Sequence, residues 1–457
     1  MNNFWNKLQW SHRVLCPRRA KRSRQACQPL TVELLEKRTL LTGNVTAAFS
    51  HGDLVLRGDD ADNVVAIVNE GGNLVIRGSS GTTVNGSSGD FVAIVGSSRI
   101  HDDLRVDLRG GNDTLSIQDI QIGDDARIRT GDGHDSLALA GIQIGDDLRI
   151  NTAGGDDTVL LQDLNVGDDS HVSTGSGNDQ VRVSGTSVQD DLRIRSSSGD
   201  DAIIVSACNV GDDHSIRSGT GNDTINVAST NIQDDFRVST SSGSDALVFD
   251  QLNVSDDMKI RSGTGDDSVV VTDSRVADDL SVSTSSGDDF VYIDPTVVGD
   301  DLRVKTGRDN DTIAFSGANV FGDRTRISGG SGTNLVDLAP ETSFGSTPRL
   351  SGVSGSEVDA ATIESRLNDP SDGALSRVTA ASDSLDSATG PTAVDDVFTT
   401  SASALNVDAA SGLTANDQQS VFGATLTATL QDSPVNGVVT VNPDGSFDYQ
   451  APSAFSG

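Results

Sequence analysis

The sequence predicts an all-β chain: a parallel β-helix (β-solenoid) of 22-residue coils, followed by a linker and an incomplete β-sandwich module. Three observations carry this. From His101 the chain falls into units of 22 residues without insertion: HDDLRVDLRGGNDTLSIQDIQI, then GDDARIRTGDGHDSLALAGIQI, then GDDLRINTAGGDDTVLLQDLNV. Ten such units reach Val320, and an eroded eleventh occupies 321–342. Within each unit apolar residues alternate with period two and β-branched residues dominate, which marks strands with one buried face. Glycines and an Asp-Asp pair recur in every unit and exclude helices.

Before the regular units, residues 44–100 (HGDLVLRGDDADNVVAIV, GNLVIRGSSGTTVNG) read as strand-and-turn lead-in with looser spacing, so the solenoid is expected over 44–342. In the repeats proper, position 6 is always Val or Ile, from Val106 and Ile128 to Val304. Position 22 behaves alike, from Ile122 to Val320, and positions 15 and 17 are apolar, as in Leu115/Ile117 and Ile313/Phe315. Each unit therefore supplies strands near positions 4–8 and 14–18 and a short third piece near 20–22, with turns at 9–13 and 1–3. One unit cannot bury its apolar face alone, but a stack can. A coil of this length suits a right-handed parallel β-helix, whereas a β-roll of two nonapeptides needs 18 residues per coil; the roll stays open as a variant.

Composition narrows the function classes. Only 4% of residues are aromatic, too few for an ordinary globular core. The net charge of −34 is polarised: residues 1–43 carry a formal +7 and leave −41 on the rest, a body that repels nucleic acid and attracts divalent cations. No run of 18 apolar residues occurs, so no transmembrane helix is expected. Cys16, Cys27 and Cys208 form no disulfide framework, and Cys208 sits in a column shared with Ile, Leu, Thr and Ser, which suggests packing.

Aspartate occupies positions 2, 3 and 13 in all ten units. The position-13 column runs Asp113, Asp135, Asp157, Asp179, Asp201, Asp223, Asp245, Asp267, Asp289, Asp311. Rungs of a solenoid lie about 4.8 Å apart, and like charges at that spacing repel by roughly 1 kcal/mol per pair even in water. The ladders need compensation. For the Asp-Asp pair, the adjoining basic column at position 5 (Arg105, Arg127, Arg149, Arg193, Arg237, Lys259, Arg303) offers a surface Arg–Asp lattice. Aspartate is also a good turn residue. For position 13, glycine placement favours structural calcium, Ca2+, a hard ion that gathers carboxylate and carbonyl oxygens. Position 11 is Gly in nine units. Position 9 is Gly in every second unit (Gly131, Gly175, Gly219, Gly263, Gly307), with Ala153, Ser197, Ser241 and Ser285 between, which implies a doubled 44-residue unit.

The G-x-G-x-D turn followed by an aliphatic, as in Gly219-Thr220-Gly221-Asn222-Asp223-Thr224-Ile225, resembles the calcium-binding nonapeptide of RTX-type proteins. That resemblance implies calcium at the ten position-13 aspartates. In the N-terminal segment, Leu35-Glu36-Lys37-Arg38-Thr39-Leu40-Leu41 resembles the LEPR-XLL motif of exported planctomycete-type proteins, with Lys37 in place of the proline. It follows a basic leader over 1–43 and implies extracellular or cell-surface placement. Residues 343–390 read as a linker containing one short helix in SEVDAATIESRLND. Residues 391–457, with turns at Pro434–Gly437 and Pro443-Asp444-Gly445, resemble cadherin-like or bacterial Ig-like modules of adhesive surface proteins. Those modules continue past F-S-G with another strand, so an incomplete module is expected here.

Together these features point to a non-catalytic, calcium-stabilised structural or adhesive solenoid, with calcium and a surface or matrix polysaccharide or protein as partners. Two alternatives stand beside it. One is a parallel β-helix polysaccharide lyase or hydrolase, which needs unique acidic and basic residues and aromatic sugar platforms; here the acids are periodic and the aromatics few. The other is a metal-independent solenoid held by Ser/Thr stacking at position 8 and Arg–Asp lattices.

Overall fold

A computed structural model describes residues 43–354, 358, 360–368, 373–389, 404–407, 438–442 and 446–450. The basic leader and its LEPR-XLL-like motif lie outside these residues, as do both turns expected in the C-terminal module.

The chain folds as a parallel β-solenoid. Positions 4–7 of successive coils pair in register, Leu104 with Ala126 and Ala126 with Leu148, within a 15-stranded sheet. Positions 14–18 build a 14-stranded sheet, and positions 21–22 a 12-stranded one. Alternation within each strand decides what lies inside. Leu104, Val106, Leu115, Ile117, Ile120 and Ile122 of the first regular coil are all buried, and their counterparts continue one apolar column through the stack. Positions 4 and 20 thus join the core columns read from the sequence.

At the N-terminal end two hairpins replace a plain coil. Asn44–Ser50 pairs antiparallel with Asp53–Arg57, and Val64–Glu70 with Asn73–Gly78. Each hairpin also docks in parallel on the first regular coil, through Leu54↔Leu104 and Val65↔Leu115. They cover the open end of the core, as terminal repeats must.

The doubled 44-residue unit has a physical counterpart at position 20, the corner between the second and third sheets. Leu164, Cys208 and Leu252 are apolar there, and in the next coil Thr186, Thr230 and Ser274 offer a hydroxyl oxygen to their backbone N–H (3.4, 3.4 and 3.1 Å). Cys208 is accordingly a buried core thiol. The turn glycines answer a close approach: a Cβ on Gly221, at φ +129°, would lie 1.9 Å from the Gly199 carbonyl oxygen. Ala153 and Ser197 adopt φ of 70° and 85° at position 9 without being glycine.

The period changes after Phe315. Val297 pairs with Val320 and Val298 with Phe321, so the tenth coil has one residue more than its predecessors. Phe321, and not Val320, enters the core, and Val320 is left 43% exposed. The extra residue lies within Ser316–Asn319, where Asn319 turns inward and its amide oxygen accepts the Thr296 N–H (2.8 Å).

Past the solenoid, the segment expected as a linker holds two helices, α1 (Ala360–Asn368) and α2 (Ala374–Thr389). The first matches the expected short helix. The second packs on the outer face of the 14-stranded sheet. Position 16 faces outward, yet in several coils it is apolar: Ala138, Leu160, Ile204, Val248, Val270 and Tyr292. Ala374 closes on Val248, Val270, Phe290 and Tyr292, and Leu385 on Ala138, Leu160 and Ile204. Arg377 fixes the helix by donating to the carbonyls of Ser244 (2.6 Å) and Asp223 (2.8 Å). Further along, Ala404–Val407, Phe447–Gln450 and Val438–Val441 form a three-stranded antiparallel sheet in that order.

Candidate metal centre: two aspartate ladders

The position-13 aspartates point into the turn and are sealed. All ten lie between 0 and 3% exposed. One carboxylate oxygen of each accepts the backbone N–H of the position-13 residue one coil earlier, from Asp113 N–H to Asp135 Oδ1 (2.8 Å) to Asp289 N–H to Asp311 Oδ1 (3.1 Å). Asparagine ends the ladder on both sides. Asp311 N–H donates to Asn334 Oδ1 (2.9 Å), and Asn63 N–H donates to Asp113 Oδ1 (2.8 Å). From Asp135 on, the other oxygen faces the position-8 Thr or Ser of its own coil, as Thr284 shows by donating to Asp289 Oδ2, whereas the first coil has Leu108 at that position.

Burial pushes these carboxyl groups up against the opposing effect of their hydrogen bonds. Asp113, Asp157, Asp201 and Asp245 rise to about 7, Asp289 to about 8, and Asp223 and Asp267 to about 6. The facing carboxylates of adjacent rungs add to the rise, and the Arg377 guanidinium moderates it at Asp223 and Asp267. Asp135, Asp179 and Asp311 shift in the same direction by burial.

The second ladder lies at the Asp-Asp turn on the surface. Each position-3 carboxylate accepts the N–H of the next position-3 residue, as Asp213 N–H donates to Asp191 Oδ1 (2.9 Å) and Asp257 N–H to Asp235 Oδ1 (3.0 Å). The polarity is opposite to that of the buried ladder. The basic column joins it as the sequence suggested: Arg237 contacts Asp235 of its own coil and Asp213 of the coil before (2.6 Å), while Lys259 binds Asp257 (2.6 Å). That relief is uneven, since position 5 is His171, Ser215 and Ser281 in three coils.

Position 2 carries the remaining carboxylates outward. Asp168, Asp169 and Asp190 bring ligand oxygens within 4.8 Å of one another, and Asp190/Asp191/Asp212, Asp212/Asp213/Asp234 and Asp234/Asp235/Asp256 repeat the group. Lost hydration and the surrounding carboxylates of Asp102, Asp146, Asp103 and Asp125 push Asp124 up; Asp278 and Asp300 are raised in the same way. Three carboxylates per group supply part of the six to eight oxygens a calcium ion takes, with water or carbonyls for the rest. These aligned aspartates can hold metal ions, and they differ from the position-13 set that glycine placement singled out.

Sequence reading also passed over position 7. In a strand, positions 5 and 7 share the outer face. The structure places Arg129, Arg195, Arg217, Arg261 and Lys305 there, exposed beside the position-5 bases. Period two was the available signal.

Fold and site together define a repeat protein of the parallel β-solenoid class with periodic carboxylates. No family model, curated protein or solved structure matches the chain. Among the described residues, no helix is long and apolar enough to cross a membrane.

Proposed function

We propose that the protein is a non-catalytic extracellular or cell-surface scaffold whose solenoid is stiffened by calcium along the Asp-Asp turns, and which engages a matrix polysaccharide or protein. The observation that carries this reading is the recurrence of one three-carboxylate group from coil to coil. Like charges stacked at rung spacing favour a counterion wherever a basic neighbour is missing. A second reading, a metal-independent solenoid, draws support from the Arg–Asp bridges and from backbone N–H groups bonded to both ladders.

Thermal unfolding with calcium and with chelator separates the two. Calcium at about a hundredfold its dissociation constant should add roughly 2.7 kcal/mol per independent site. Asp190→Asn with Asp212→Asn should reduce that gain. If Asp201→Asn with Asp223→Asn reduces it instead, the ion belongs to the buried ladder. An unchanged midpoint in the native chain removes calcium from the account. New reducing ends or unsaturated products on incubation with acidic polysaccharides would replace the scaffold reading with the lyase or hydrolase.

A further inference from the structure

The outer face of the 15-stranded sheet is basic on an otherwise acidic molecule. Arg195 and Arg217 are exposed and directly paired across adjacent strands, an arrangement that is unfavourable for like charges. Among the described residues, Arg195, Arg217 and Arg261 make no salt bridge, while Arg193, Arg237 and Lys259 beside them bind the Asp-Asp ladder. Ser215 and Ser239 pair within this set, opposite Arg193 and Arg217, and their small side chains leave a shallow depression of about 200 Å³ rimmed by the arginines. A second depression of about 120 Å³ follows on the same face, bordered by Lys259, Arg303 and Arg326 around Ser281. The field there is felt by His171, whose imidazole is lowered by burial and then by Arg195, Arg193 and Arg149.

We propose that this lane of unpaired guanidinium groups binds a linear acidic polysaccharide laid along the solenoid axis, with Arg195, Arg217 and Arg261 as its principal contacts. Guanidinium groups take carboxylate or sulfate oxygens in a bidentate fork, and cations set one or two rungs of about 4.8 Å apart along the axis suit a polymer better than a single anion. The lane is narrow. The Asp-Asp ladder borders it, so a wide polyanion would meet repulsion at its edge. Positions 5 and 7 also carry no Phe, Tyr or Trp in the regular coils, so stacking platforms for nucleic-acid bases are missing from the face. The inference rests on the scaffold reading but not on calcium.

Titration calorimetry in calcium-containing buffer tests it, using oligomers of a polyuronate, of a sulfated glycan and of neutral dextran. Binding of both acidic oligomers is expected, weakening as salt rises from 50 to 300 mM, with none for dextran; the stronger of the two identifies carboxylate or sulfate as the natural group. The variant R195S/R217S/R261S installs the residue found at position 7 in Ser173, Ser239 and Ser283, so the fold is retained, as circular dichroism will verify. It should lose about tenfold or more in affinity, and R217S alone a smaller part. R77S/R275S/R366S, which removes three arginines off this face, should bind as the native chain does. Undiminished binding by the lane variant, equal binding of dextran, or tighter binding of single-stranded DNA of equal charge overturns the proposal. A calcium-dependent melting shift that persists through any of these leaves the scaffold reading intact.

Discussion

At the scale of single residues, the buried ladder asks for an acceptor and not for a charge. Asn334 shows this by accepting the Asp311 N–H through its neutral amide oxygen, where the rungs before it use a carboxylate. Asp245→Asn should therefore fold normally and raise the melting midpoint at pH 8 more than at pH 5, by about 1–3 kcal/mol. Asp245→Ala leaves the Asp223 N–H without its acceptor and should lose about 1–3 kcal/mol at either pH. His214 works in the opposite sense. It is fully buried at position 4, stacked on Phe236, and burial lowers it from 6.5 to about 4. The unfolded chain therefore takes up the proton first, and stability falls as pH drops below about 6.5. His214→Leu, which installs the residue of Leu192 and Leu280 at this position, should gain about 2 kcal/mol at pH 5 and little at pH 8, read by urea denaturation.

At the scale of elements, the coil was largely legible because its strands alternate apolar and polar residues and its turns repeat glycine and aspartate. What was not legible depends on contacts between distant segments. Position 16 carries Leu160, Ile204 and Val248 outward, and only the packing of α2 explains apolar residues on that face. The serines and aspartates of α2 had suggested a linker. Likewise, the slip at Ser316–Asn319 hides in the sequence because Val320 and Phe321 both fit an apolar column; the pairing of Val298 with Phe321 decides between them. Position 13 was singled out from its glycines, but its burial follows from the inward turn, which spacing alone does not reveal. Leu385→Ala should speed hydrogen exchange in α2 while exchange in the solenoid core stays unchanged, since Leu385 is buried only against the outer face. An equal loss of protection in both would make the helix part of the solenoid's cooperative unit.

For the whole molecule, the two titrations set a window. The buried aspartates have folded values above the ordinary 3.8, so their share of stability is complete below about 3.8 and is lost as pH rises from there through the folded values of about 6 to 8. His214 removes stability on the acid side. The calcium-free chain should melt highest at about pH 4 and progressively lower toward pH 8, because the raised aspartates outnumber His214, as followed by far-ultraviolet circular dichroism across a pH series. A flat profile between about pH 4 and 7 would show that the ladder's charge is already compensated. The helix α2 adds a constraint of another kind. Its 16 residues span about 24 Å, which matches about five rungs, and it grips the stack at fixed points along the way. Duplicating a 44-residue pair of coils beyond either grip would only lengthen the rod; the same duplication between Ile204 and Val248 would carry one anchor away from the other by about 10 Å. The helix thus acts as a gauge that fixes the coil count beneath it and leaves the count outside it open to change.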